Sequence, residues 1–300
     1  MNLRSDRYHG VFPILATPFD HEENVDYESL RRLVRFELDA GVHGLGLFGM
    51  ASEGYALVES ERRMILETVK EETQGKLPLI ISTGHTSKMG AVQLSRQAEK
   101  DGAAALMVMA PTMAKPDAMR LYEYYAAVAA AVDIPVMIQD APMASGVNLP
   151  TATIARLVKE FENVQYIKIE APPTIMKIED VLDATNGEIT VFGGMNGMYM
   201  FEEFMCGSVG TMPACEFPQI AVAIYDAYQK GDIRGARDIF VRHLPLFRMG
   251  TLPGYAMAIH KEILRRLGVT ATAGVRNPNS PLDQRLRAQV DLLMQELAVI

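Results

Sequence analysis

Residues 87–110 read SKMGAVQLSRQAEKDGAAALMVMA, and the fold follows from how this stretch divides. Its first part, 87–100, carries the apolar spacing of an amphipathic helix, and Gly102 stands just past the last periodic residue. Its second part, 105–110, is apolar throughout, as a parallel strand buried on both faces must be. The same unit recurs on either side. Strand-like runs fall at 10–19, 44–48, 77–83, 134–142, 164–170, 189–195 and 208–213, several as continuously apolar as LPLII and IPVMI. Helical patterns such as 26–40 and 59–73 lie between them, with Gly41, Gly75 and Gly187 again placed as helix stops. Eight β-runs with helices in the intervals predict a (β/α)8 TIM barrel of the α/β class rather than an open sheet. From Glu216 onward the strand signal stops, and 216–232, 233–249, 253–268 and 281–298 all read as helices. The expected organisation is a barrel over 1–232 and a C-terminal helical extension over 233–300, with a turn-rich loop at 274–281.

The composition supports a packed core and excludes several functions. Of 300 residues, 49% are hydrophobic and 22% charged, so disorder and collagen-like architectures are out. The net charge of −8, with no run of five like charges, disfavours a nucleic-acid partner. No apolar run reaches the roughly 18 residues of a membrane span, and the opening MNLRSDRYHG has no apolar signal region. Cys206 and Cys215 are too few for a disulfide framework. A soluble cytoplasmic protein is expected.

Several local patterns have plain structural explanations. Gly44-Leu-Gly-Leu-Phe-Gly49 fits G-x-G-x-x-G, but here the glycines lie on the strand rather than in the turn after it. Met50-Ala-Ser-Glu-Gly54 only echoes a serine nucleophile elbow around Ser52, so it reads as a loop whose amides face a ligand. The six histidines include no H-E-x-x-H and the cysteines no C-x-x-C, so neither a metal nor a cofactor is expected. His85 stands out because it follows the third β-run, where barrel active sites gather. Met107, Met109 and Met113 read as adaptable core filling.

Val164-Gln-Tyr-Ile-Lys-Ile-Glu170 is different. Strand alternation puts Tyr166, Lys168 and Glu170 on one face and Ile167 and Ile169 on the other. With the isoleucines under the helices, the lysine and glutamate turn toward the barrel axis, about 6.6 Å apart at Cα. A buried lysine is costly unless paired or deprotonated. The pair could be a structural ion pair. Its place at a strand end instead suits catalysis, with a desolvated amine as nucleophile.

Taken together, Gly10-Val-Phe-Pro-Ile-Leu-Ala-Thr-Pro-Phe19, the G-x-x-x-E loop at 49–53, IPVMIQDAP, YIKIE, FGGMNG and GSVGTMP resemble the dihydrodipicolinate synthase / N-acetylneuraminate lyase superfamily of Schiff-base class I lyases. The resemblance covers nearly the whole chain. It implies a (β/α)8 barrel with C-terminal helices, usually a homotetramer, and a strand-six lysine that condenses with a 2-oxo acid. Lys168 matches that lysine, and the acid's carboxylate would rest on backbone amides at Ala51 and Ser52. The departures are informative. The tyrosine of the family's Tyr-Asn-x-Pro stretch is Gln139 here, in Gln139-Asp-Ala-Pro142. Met50, Met113 and Ala144 stand where the synthase has its loop threonine, its neighbour-donated tyrosine and its arginine. The usual proton relay is therefore missing.

Gln139-Asp-Ala-Pro142, Lys168-Ile-Glu170 and His85 are similar to the branch containing 2-keto-3-deoxy-L-arabonate dehydratase, with hydroxypyrroline-carboxylate deaminases as neighbours. Met195-Asn196-Gly197 lacks the acidic residues of the arabonate enzyme. The expected catalytic residues are Lys168 and Glu170, the latter replacing the tyrosine as acid and base. Ala51, Ser52, His85, Gln139 and Asn196 are the expected substrate contacts. The expected reaction is dehydration of a 2-keto-3-deoxy sugar acid. A pyruvate-dependent aldolase, a synthase-like condensing enzyme and a silent sugar-acid binding barrel are the alternatives.

Overall fold

The computed structural model describes residues 7–297, which excludes the first six residues of the N-terminal segment and position 298 of the last expected helix. Along the chain run β1 (Gly10–Val11), α1 (Tyr27–Asp39), β2 (Leu45–Leu47), α2 (Glu59–Thr73), β3 (Leu79–Ser82) and α3 (Lys88–Lys100). Then come β4 (Ala105–Met109), α4 (Ala118–Ala129), β5 (Val136–Asp140), the short α5 (Pro142–Ser145), α6 (Thr151–Glu160) and β6 (Val164–Ile169). The order continues with α7 (Thr174–Ala184), β7 (Thr190–Gly193), α8 (Met200–Met205) and β8 (Gly210–Thr211). Four helices close it: α9 (Pro218–Gln229), α10 (Ile233–Met249), α11 (Ala256–Arg266) and α12 (Gln284–Glu296). This is the alternation read from the sequence, followed by the expected C-terminal helices.

Two compact units divide the described residues. The first holds 7–10, Pro78–Gly194 and Tyr199–Met212; the second holds Val11–Leu77, Met195–Met198 and 213–297.

In the first unit the strands run parallel in the order β8-β7-β6-β5-β4-β3. The register is what matters for chemistry. Gln139 pairs with Lys168 and Lys168 with Phe192, so one row of side chains shares a face across β5, β6 and β7. The next row, Asp140, Ile169 and Gly193, takes the opposite face. Leu106, Met107, Val108, Val136, Ile138 and Ile167 are wholly buried, as strands covered on both faces require. Ser87 and Asp117 cap α3 and α4 by accepting from Gly90 N and Arg120 N, each contributing about 1 kcal/mol.

In the second unit, α9 to α12 close around Phe217, Leu246, Ile259, Ile263, Val290 and Met294. Asp26 caps α1 through Ser29 N at 3.0 Å. Leu45–Leu47 are β2, so of the three glycines expected on the strand Gly46 lies there, whereas Gly44 precedes it and Gly49 falls in the bend after it.

Two expectations need correcting. The long first run, 10–19, keeps only two residues of ladder, because Pro13 and Pro18 offer no N–H. Ile14 retains single parallel bridges to Gly46 and Ala214. Met107 is core as expected, but Met113 is 85% exposed in the loop after β4, beyond the reach of the core.

Candidate active site

Lys168 and Glu170 project from the C-terminal end of β6, as alternation required. The Lys168 side chain is 5% exposed and that of Glu170 19%, with Lys168 Nζ 3.4 Å from Glu170 Oε1. Gln139 Nε2 donates to Glu170 Oε2 at 2.7 Å. One carboxylate therefore bridges a buried amine and a buried amide, Gln139 being the register partner of Lys168 on β5. Glu170 N donates to Asp140 O at 2.9 Å, which extends the ladder one residue and holds the glutamate in place. Gly194 leaves room for it: a Cβ there would lie 2.3 Å from Glu170 Cγ.

A second charged pair occupies the other face of the same strands. Lys177 Nζ on α7 lies 3.6 Å from Asp140 Oδ2 and donates to Leu149 O at 2.8 Å. Burial pushes the Asp140 carboxyl up to about 6 while the Lys177 charge opposes the rise. Glu203 on α8 is fully buried, and neither of its carboxyl oxygens has a hydrogen-bond partner of good geometry. Burial pushes this carboxyl up to about 8; the Thr174 hydroxyl works against the rise, and the Glu170 and Glu202 charges add to it.

The other expected site residues have different surroundings. His85 is exposed in the turn before α3, where its Nδ1 accepts from Ser87 N at 3.0 Å. The Tyr124 hydroxyl holds that turn, accepting from His85 N at 2.9 Å with His85 O at 3.0 Å as its acceptor. Burial raises this phenol to about 12, so it is fixed to the backbone rather than poised for transfer. Ala51, Ser52 and Asn196 belong to the second unit. Ser52 N is already engaged, donating to Gly49 O at 3.2 Å, whereas its buried hydroxyl has no partner. Asn196 spends its amide on structure. Its Nδ2 donates to Phe247 O at 3.0 Å and its oxygen accepts from Ala214 N at 2.8 Å. Phe48 and Glu53 after β2, and Met195 and Asn196 after β7, hold left-handed backbone, a strain that concentrates in functional loops.

Asp140, Lys177 and Glu203 were missed in the sequence. Alternation from Gln139 would have placed Asp140 on the far face of β5. Glu203 lies on a six-residue helix, too short for a periodic signal.

Parallel strands alternating with helices define the class of the fold, a (β/α)8 barrel, and a buried lysine–carboxylate pair ends its sixth strand. The particular family is equally plain. The chain matches the Dihydrodipicolinate synthetase family over residues 7–297, and it belongs to that family. It is 31% identical to an L-2-keto-3-deoxyarabonate dehydratase of Azospirillum brasilense, covering 97% of this chain and 95% of that one. It is 30% identical to a 4-hydroxy-tetrahydrodipicolinate synthase of Chlorobaculum parvum, covering 97% and 98%. The dihydrodipicolinate synthase of Thermotoga maritima superposes with a TM-score of 0.92 at 27% identity, covering 98% and 99%.

Proposed function

We propose that this lyase dehydrates a 2-keto-3-deoxy sugar acid through a Schiff base on Lys168. The observation that carries this reading is the single Glu170 carboxylate held between the Lys168 amine and the Gln139 amide. In the proposed cycle the Lys168 amine adds to the C2 carbonyl, and loss of water leaves an iminium. The iminium draws electrons from C3. Glu170 removes a proton from C3, and the resulting enamine expels the C4 hydroxyl, which takes that proton from Glu170 and departs as water. In the unsaturated iminium a proton is lost from C5 and one returns to C3, which leaves a C4–C5 enol. Hydrolysis of the imine frees Lys168, and the enol tautomerises to the semialdehyde. Carboxylic acids suit both transfers, since the same group can accept and return one proton. Gln139 holds no transferable proton at neutral pH, so it orients Glu170 or a substrate hydroxyl.

Likeness to an arabonate dehydratase supports the dehydration outcome. The synthase outcome has less support here, because Gln139 stands where the resemblance places the synthase tyrosine. Borohydride with pyruvate should add a covalent mass to the peptide containing Lys168, and Lys168→Ala should add none. A panel of 2-keto-3-deoxy acids should then yield a dehydrated semialdehyde. Release of pyruvate instead would make the protein an aldolase. Binding without any trapped imine would make it a sensor and end the Schiff-base reading.

A further inference from the structure

Gly193 and Gly194 end β7, and each is a seat for a carboxyl group. A Cβ on Gly194 would lie 2.3 Å from Cγ of Glu170, and one on Gly193 only 1.9 Å from Oε2 of Glu203. Gly193 is in register with Ile169, so its open side faces away from Lys168, toward the helices. Two carboxyl groups thus flank one strand end, Glu170 in front and Glu203 behind.

We propose that Glu203 is a positioning residue that acts through Glu170: a carboxylic acid kept neutral behind β7 so that Lys168 meets one negative charge rather than two. This rests on the reading that Lys168 and Glu170 are the reacting pair. Glu203 is wholly buried and no donor of good geometry reaches either oxygen. An ionised carboxylate there would lose hydration with only the Thr174 hydroxyl to offset the loss, so the neutral acid is the stable form. The groups acting on it are Thr174 from α7, Glu202 on its own helix, and Lys168 and Glu170 from the end of β6. Cys206, just past α8, would feel its charge in turn were it ionised. Were Glu203 to ionise, the second charge would favour the ammonium form of Lys168 over the nucleophilic amine. It would equally favour the protonated form of Glu170 over the base.

Groups coupled by about one pK unit titrate as a pair, which corresponds to about a tenfold effect. In the wild type, the rate of imine formation should rise less steeply between about pH 7 and pH 9.5, because ionised Glu203 holds more of Lys168 as ammonium. In Glu203→Gln, a neutral side chain of the same shape, imine formation at about pH 9.5 should be up to about tenfold faster than in the wild type, while at about pH 7 the two stay within about twofold. Glu203→Asp keeps a titrating group and should retain the shallow alkaline rise. A Glu203→Gln enzyme that loses thermal stability but keeps the wild-type pH profile would overturn the proposal. A carboxyl titration of 13C-labelled glutamate in the ligand-free protein reads the coupling without any chemistry. Glu170 should show a second alkaline inflection that Glu203→Gln removes. Its absence from the wild type overturns the proposal whether or not Lys168 forms an imine, whereas failure of imine trapping alone overturns only the reaction assigned to the pair.

Discussion

The Lys168–Glu170 pair on β6 and the Lys261–Glu53 pair of the second unit join the same two side chains in different company. Lys261 is 2% exposed and Glu53 fully buried, and each has partners beyond the other. Lys261 also donates to Gly274 O at 2.8 Å and lies 3.9 Å above the Phe19 ring. Glu53 also accepts from Arg276 N at 2.9 Å and Asn279 Nδ2 at 2.7 Å. These contacts bind the turn-rich 274–279 segment to the loop after β2. Glu170, by contrast, stands 3.4 Å from its lysine, keeps 19% of its side chain open, and leans on an amide that cannot neutralise it. A buried pair tied into further contacts holds a structure together. A looser pair at a strand end can exchange a proton or an ammonium for a substrate.

If that contrast is right, removing either lysine has a different consequence. Lys168→Ala should abolish imine trapping and turnover while the thermal midpoint stays close to wild type. Lys261→Met leaves Glu53 buried without its cation and should cost about 3–5 kcal/mol of folding stability by denaturant titration. A stable Lys261→Met protein, or an unfolded Lys168→Ala one, would erase the distinction between the pairs.

Glu170→Gln sharpens it further. The variant should still trap an imine yet lose roughly 10²–10⁴-fold in turnover, the usual worth of a general acid–base. Near wild-type turnover would reduce Glu170 to a structural neighbour of Lys168.

A pH-dependent effect separates the carboxyl behind β7 from both pairs. The Glu203 carboxyl is raised to about 8 in the folded chain, so between its ordinary value and 8 the native state holds more protons than the unfolded one. Its contribution is therefore fully present at low pH and is lost as pH rises through that window. Thermal midpoints of the wild type should fall from pH 5 toward pH 8 more steeply than those of Glu203→Gln. Parallel curves would show that the group does not titrate there.

Asn196→Ala should produce the least change in function. Both ends of its amide are bonded within the second unit, so the loss should be about 1–2 kcal/mol of stability with KM moved less than about twofold. A large rise in KM would instead make Asn196 the substrate contact that the resemblance implied.

Much of the first unit was legible because its information is local. Alternation over two residues is enough to put Lys168 and Glu170 on one face, and continuous apolar runs are enough to mark buried parallel strands. Helix boundaries in the second unit followed the same logic: 59–73 and 233–249 are α2 and α10 to the residue. The first run failed where two prolines interrupt an otherwise strand-like pattern. His85 and Asn196 stood out for their places just past β-runs, while their actual partners, Ser87, Ala214 and Phe247, depend on how loops close.

The sequence alone determined the alternating fold, the C-terminal helices and the lysine–glutamate pair, because each is written in periodicities of two or 3.6 residues. Tertiary structure decided the rest. Only folding brought Gln139 against Glu170 from a neighbouring strand, Lys261 against Glu53 across 208 positions of chain, and Glu203 into the space left by Gly193. Contacts between distant segments are set by packing and burial, and no local pattern along the chain records which buried charge will find a partner and which will be left without one.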